Sequence, residues 1–495
     1  MNQDQLPKDI DALKAVALTQ YERAEGLQRQ VSWLKKQLFG SKSERQIVDA
    51  PEQLNFEFVD LPAASEKVAE PNLDAAEQKQ GRRHAHGRNP IPAHIPRERI
   101  EHTLPEEQRK CSCCGETMQP FGEELSEQIE VVPAKVFAIQ HARIKYSCRT
   151  CQEKPAIAEV PHKVIDKSLA GPGLLAEIAN DKFNYHLPLH RQETRYEESG
   201  IHLPRSTMCQ WMGVMASLLT PIVDCMKREV LSAQIILTDD TPVPVQDPGK
   251  GKTKTGRLWV YLDSNQQHAV FDYTPTRSRD GPVKFLKGFK GYLQADAYAG
   301  YDGIYASGGV VEVACWAHCR RKFFDAQETD ARAPEMLALV RELYAVEDLG
   351  KSGTATLRRE LREIKSRPIL QRIHAWLESR RADTLPKSPL GQAIGYARAQ
   401  WQALNRYVEN GDLNIDNNRS ENALRKVALG RKNYLFFGND DGGRRAAIFY
   451  SLIVSCKLRG IHPAAYLKDV LLRIDSTPAT QIASLTPAHW QPSPE

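Results

Sequence analysis

The sequence predicts an α/β catalytic domain with an all-helical insertion, preceded by an N-terminal coiled-coil helix, a zinc ribbon and a helical, helix-turn-helix-like DNA-binding region. Three observations predict it. Short β-favouring runs within 231–325 read β-β-β-α-β, and a charged stretch with helical spacing follows over 326–410. Two C-x-x-C pairs stand upstream, Cys111/Cys114 and Cys148/Cys151. Apolar residues near the N-terminus recur every seven positions.

Composition narrows the class. A chain of 495 residues that is 41% hydrophobic can hold several domains and at least one large core. Its net charge is only +5, so the distribution of charge says more than the sum. No secretory apolar region opens the chain, and no apolar run approaches the roughly 18–20 residues that span a bilayer. A soluble intracellular protein, cytoplasmic and with no membrane partner, is expected. There is no P-loop, no Rossmann glycine run after a strand and no serine-recombinase pattern.

Residues 1–45 carry the repeat. Ile10, Ala17, Ala24, Val31 and Leu38 share one position and Leu13, Gln20, Leu27 and Leu34 the other. That a/d seam predicts a coiled coil and a homo-oligomer. Gln20 and two alanines weaken it, and one amphipathic helix packed on its own protein is the alternative. Residues 46–80 hold eight Asp/Glu against two Lys without periodicity, as a flexible acidic linker would. Residues 81–110 reverse the sign, with seven Arg/Lys and four His against four Glu. Within them Arg82, Arg83 and Arg88, punctuated by Gly and Pro, suit an arm that follows phosphates or enters a minor groove.

The zinc-binding domain is expected at 111–165. Tetrahedral Zn²⁺ takes four thiolates, and Cys111, Cys114, Cys148 and Cys151 supply them on either side of β-favouring runs. Four thiolates leave no position for water, so this one zinc is structural. Cys113 makes the first knuckle C-x-C-C and leaves open which of its cysteines ligate. Residues 166–230 read as helical. One helix covers His190 to Glu198, the chain turns at Gly200, and a second helix starts from an N-cap at Ser206 with Trp211, Val214 and Leu218 inward. In DNA-binding pairs the second helix enters the major groove, although such pairs are also plain packing units.

The first part of the catalytic core spans 231–325. Strands are expected at Ile235–Asp239, Leu258–Asp263, Ala269–Tyr273, Tyr292–Asp296 and Val311–Cys315, with a helix near Val283–Phe289. After the helical insertion at 326–410 the core resumes over 411–460, and 461–495 forms a C-terminal segment.

Three acidic motifs carry the chemistry. They are Thr238-Asp239-Asp240-Thr241-Pro242 after an apolar run, Gln294-Ala295-Asp296-Ala297-Tyr298 after a short strand, and Asp416-Asn417-Asn418-Arg419-Ser420-Glu421-Asn422 opening a helix. Mg²⁺ takes one or two carboxylates plus waters and substrate phosphates. A pair of such ions clamps the attacking and leaving oxygens of an in-line phosphoryl displacement. Asp239, Asp296 and Glu421 are the expected catalytic residues and ligands of two Mg²⁺. Asp240 competes with Asp239, and strand alternation sends the two to opposite faces, so only one points into the site. His318, in Cys315-x-x-His318, is expected to support this site or contact DNA; a second metal there, with Cys319, is the weaker alternative. Arg320, Arg321 and Lys322, with Arg425, Lys426, Arg431 and Lys432, are expected to neutralise phosphates.

These residues resemble the IS sixty-six family of transposases over nearly the whole chain. The resemblance rests on the three acidic motifs, the double knuckle, Leu38-Phe39-Gly40-Ser41-Lys42-Ser43-Glu44-Arg45 and Leu187-Pro188-Leu189-His190-Arg191-Gln192. It rests also on Cys315 to Phe323, Gly430-Arg431-Lys432-Asn433-Tyr434-Leu435-Phe436 and Leu485 to Trp490. It implies an RNase H-like fold and a DDE triad at Asp239, Asp296 and Glu421. It implies cleavage of element ends, joining of the freed 3′-hydroxyls to target DNA, and help from small accessory proteins of the same element. Asp240 stands where the family has Glu, Ala297 where it has Gly and Asn422 where it has Arg. A catalytically inactive DNA-binding regulator and a structure-specific nuclease are the competing readings.

Overall fold

The computed structural model describes residues 136–142, 145–146, 156–157, 163–247, 249, 251–265 and 267–493. The heptad segment, the acidic linker, the arm with Arg82, Arg83 and Arg88, and the four paired cysteines lie outside the described residues. The chain divides into two units, 58–158 and a second made of 1–57 with 159–495. In the first, strands β1 (Lys145–Tyr146) and β2 (Ala156–Ile157) pair antiparallel.

The second unit is built on a five-stranded sheet. Its strands are β3 (Ile235–Asp247), β4 (Lys252–Asp263), β5 (Ala269–Thr274), β6 (Gly291–Gln294) and β7 (Val310–Val313), in the order β5-β4-β3-β6-β7. β3, β4 and β5 are mutually antiparallel, whereas β6 runs parallel to β3 and β7 parallel to β6. Leu258 to Leu262 of β4 are fully buried in succession, which requires cover on both faces of the sheet. The helices are α1 (Pro172–Phe183), α2 (Leu189–Glu198), α3 (Arg205–Ser232), α4 (Asp280–Phe285), α5 (Asp302–Tyr305) and α6 (Trp316–Ala326). They continue as α7 (Ala333–Gly350), α8 (Ala355–Leu361), α9 (Arg367–Arg381), α10 (Pro389–Ala399), α11 (Trp401–Asn405), α12 (Asn418–Tyr434), α13 (Asp440–Leu458) and α14 (Pro463–Arg473).

Two differences from the sequence expectations have clear causes. β3 does not stop at Asp239 but continues to Asp247, with Thr241, Val243 and Val245 buried and Pro242 exposed in strict alternation. Past Leu237 its β6 neighbour has ended. Pro242 and Pro244 therefore turn their donor-less nitrogens to an edge with no ladder to break; Pro244 instead accepts from the Phe437 amide at 2.9 Å. The second difference is α3. Pro204, not Ser206, precedes its first turn, and Val214 is 41% exposed while Met208, Trp211, Met215, Leu219, Ile222 and Met226 are buried. The apolar stripe is thus offset from the expected one. By length and composition α3 would also pass as a membrane span, against the expectation that no such run exists, but half of that window is buried in the protein.

Two devices hold the unit together. β5 is an edge strand, and the Ser451 and Ser455 hydroxyls of α13 accept its Phe271 and Ala269 amides at 2.8 and 2.9 Å, so the edge is covered. Between α6 and α12 the described chain is helical, and Arg362, only 2% exposed, locks that block. Its guanidinium pairs with Glu347 and donates to the Tyr407, Asn410 and Leu413 carbonyls, which lead into the third acidic motif.

Candidate active site

The parallel register of β3 and β6 sets the first two acids. Leu237 pairs with Gln294, the last residue of β6. Asp239 and Asp296 each lie two residues further on, so they leave adjacent strands side by side. Parallel neighbours are about 4.8 Å apart, which puts the two carboxyls within reach of one another where the strands diverge.

The third acid is delivered by α12. Asn417, fully buried just ahead of the helix, donates its side-chain amide to the Thr238 carbonyl at 2.8 Å, next to Asp239. Its backbone amide donates to Cys315 Sγ at 3.2 Å. Gln294, also fully buried, donates to the Asn414 carbonyl at 2.7 Å, tying the second motif to the approach of the third. Residues four apart on a helix share a face, so a pinned Asn417 aims Glu421 at the same place. Glu421 is buried and lies 3.6 Å from His318 Nε2.

The electrostatics follow. Burial pushes the Asp239 carboxyl well above the usual carboxylate range, and the neighbouring charges of Asp296 and Glu421 push it further; the hydrogen bond from the Asp240 amide opposes them. Burial raises Asp296 too, offset by Arg277. Burial lowers His318, against the pull of Glu421, and its Nδ1 is buried without a hydrogen-bond partner. Cys315 is wholly buried and its thiol is pushed far up, as a structural acceptor for the third motif would be.

Asp240 also belongs to this neighbourhood, and alternation does not remove it. One of its oxygens is bonded by Arg257 at 2.8 Å, the other by Arg277 Nε and Nη2 at 3.1 and 2.8 Å. Arg277 Nη2 reaches Asp296 as well, at 3.3 Å. Its guanidinium lies 4.2 Å from the centre of the Tyr298 ring, whose hydroxyl donates to the Arg277 carbonyl.

Among the described residues no three His, Cys, Asp or Glu side chains are gathered closely enough, as placed, to hold one metal ion. In kind the donors suit a hard divalent cation: they are carboxylate oxygens, and Asp239 is held high first by burial and then by the charges of Asp296 and Glu421.

The expected phosphate contacts divide. Arg321, Lys322 and Lys432 are exposed, and Arg320 and Arg425 partly so. Lys322 lies over Tyr396 at 4.7 Å and Arg320 over Phe324 at 5.9 Å. Arg431 donates to Thr241 Oγ1 and the Pro242 carbonyl, and Lys426 to Asn184, so both fasten helix α12 to its surroundings. Sequence reasoning missed Asn417, Gln294, Arg257 and Arg277. The first two lay inside quoted motifs; the two arginines had no local signal.

Comparison with known proteins covers most of the chain. Residues 167–445 match the family described as "Transposase IS66 family", and 451–488 its "C-terminal element". Residues 108–152, which contain all four paired cysteines, match the "zinc-finger binding domain of transposase IS66". Residues 26–100 match "Transposase C of IS166 homeodomain". The "Uncharacterized protein y4jD" of Sinorhizobium fredii is 31% identical over 510 residues, covering 99% of this chain and 98% of that one. "Uncharacterized protein y4hP" of the same organism is 32% identical over 499 residues, covering 94% and 88%.

Proposed function

The chain belongs to the IS66 transposase family, and from that premise we propose that it is a DDE transposase which cleaves the ends of its own element and joins them to target DNA. What supports this reading is that Asp239, on a strand, feels the charges of Asp296, beyond the end of its parallel neighbour, and of Glu421, on a later helix. The sheet order, three antiparallel strands followed by two parallel ones, supports an RNase H-like core. The helical run from α7 to α11 is read as an insertion that returns the chain at the third motif.

When bound, two Mg²⁺ ions held by Asp239, Asp296 and Glu421 would activate the attacking oxygen and stabilise the departing 3′ oxygen. The protein's own part is positioning and charge. Asn417 holds Glu421 to the Asp239 strand, and His318 stands against Glu421 from α6. Arg321 and Lys322, one turn further along α6, offer charge to the phosphate backbone. Cys111, Cys114, Cys148 and Cys151 would hold one structural zinc, the arm with Arg82, Arg83 and Arg88 would contact DNA, and the heptads would pair two copies so that two ends are held together. Small accessory proteins of the same element may be omitted from a first test.

The test is cleavage and joining of labelled DNA carrying the element's terminal sequence, in Mg²⁺. Wild type should release 3′-hydroxyl ends and join them. Asp239→Asn should lose both steps by roughly 10³-fold or more, as single members of a co-operating catalytic set do, with DNA binding retained. Cleavage without joining favours a nuclease. Binding with neither step in the wild type favours a regulator.

A further inference from the structure

Among the described residues, Arg277 is the one basic side chain with hydrogen bonds to acids of both of the first two motifs, Asp240 and Asp296. We propose that it holds the place of a divalent cation at Asp296, and that it gives up that carboxylate when the ion binds while keeping its grip on Asp240.

The geometry is asymmetric in the way such an exchange requires. Two nitrogens of Arg277 hold Asp240 at 3.1 and 2.8 Å, whereas a single contact of 3.3 Å reaches Asp296. Asp240 is tied down independently by Arg257 and its side chain is only 2% exposed, so it is a fixed anchor. The guanidinium plane rests on Tyr298, two residues beyond Asp296, and the Tyr298 hydroxyl fastens the Arg277 backbone. A small rotation about this anchored plane suffices to release Asp296, because the contact to be broken is the longest of the set.

The charges supply the reason. Converging carboxylates repel one another in a partly buried site, and burial leaves little water to screen them. One guanidinium lodged between Asp240 and Asp296 relieves that repulsion in the metal-free protein. A divalent ion at Asp296 repels the same guanidinium and takes over its task. The two cations therefore compete, and by linkage whatever removes one strengthens the other. Asp240 gains a role from this: it keeps Arg277 beside the site after the exchange and is not itself an ion ligand. A planar fork holds one carboxylate through two nitrogens while reaching a second, a geometry that the single nitrogen of a lysine ammonium does not reproduce.

The inference rests on the cation-binding reading of Asp239, Asp296 and Glu421, and the experiment separates the two. Free Mn²⁺ is followed by electron paramagnetic resonance while the full-length protein, without DNA, is titrated with Mn²⁺. Arg277→Gln should bind Mn²⁺ more tightly than wild type, on the order of tenfold, within the range usual for coupled sites. Arg277→Lys should shift the affinity in the same direction by less, and it serves alone should the glutamine variant fail to fold. Asp239→Asn and Asp296→Asn should each weaken binding in the wild-type background. If they do and neither Arg277 variant binds more tightly, the exchange is overturned and the cation site stands. If the aspartate variants bind Mn²⁺ as the wild type does, the cation site itself fails, and the exchange with it.

Discussion

Asn417 shows how much one neutral side chain can organise. Its amide and its backbone reach Thr238 and Cys315, residues 179 and 102 positions away in the chain, so the third motif is fastened through it to the first and to the start of α6. Replacing it with alanine leaves the buried Thr238 carbonyl without its donor, at a cost of about 1–3 kcal/mol. Asn417→Ala should therefore lower the urea midpoint and also slow strand cleavage, since Glu421 loses its alignment. An unchanged midpoint would show that the contact holds nothing. The acids stood out in the sequence because apolar strand runs precede Asp239 and Asp296 and a helix start precedes Glu421. Asn417 was visible only as part of a motif, and Arg277 was not visible at all: a long side chain that reaches two carboxylates across a fold leaves no mark on its neighbours in sequence.

Elements were legible where periodicity decides and misread where edges do. The buried runs of β3, β4 and β5 announced themselves, yet β3 runs eight residues past its expected end at Asp239, to Asp247. Its Pro242 and Pro244 are tolerated because β6 has ended on that side, where Phe437 bonds the Pro244 carbonyl instead. α3 was found, with Trp211 inward as expected and Leu218 packed against the core, but Val214 is exposed and Met208, Met215, Leu219, Ile222 and Met226 fill the buried stripe instead. The α1–α2 connection carries a prediction of its own. His186 sits there at a positive φ of 62°, partly buried, with Nδ1 lacking a partner. Burial, then the charge of Lys426, lowers its pKa from 6.5 to about 4. Between those values the unfolded chain binds a proton that the folded chain refuses, so stability is lost as pH falls from 6.5 towards 4. His186→Asn, which tolerates that backbone conformation, should flatten the fall. Melting temperatures of both proteins from pH 7 to pH 4 would check this, and parallel curves would contradict it.

At the scale of the whole molecule, the unit that carries the acids is a sheet covered on both faces, with its edge strand closed by serines and a helical block anchored by Arg362. That rigidity is what a phosphoryl-transfer site needs, since its rate depends on positions more than on reactive side chains. Overall charge gave no hint of DNA; the local clusters did, in the basic arm of 81–110 and beside the acidic motifs. The N-terminal heptads, the basic arm and the zinc cysteines lie outside the described residues, so their proposed parts in pairing ends rest on sequence and family. The central claim is that three distant carboxylates gather on divalent ions. Anomalous scattering from crystals of the full-length protein with end DNA and Mn²⁺ tests it most directly. The account predicts peaks bounded by Asp239, Asp296 and Glu421, with Arg277 withdrawn towards Asp240. Crystals with DNA seated at this site and no anomalous peak among these three side chains would contradict it.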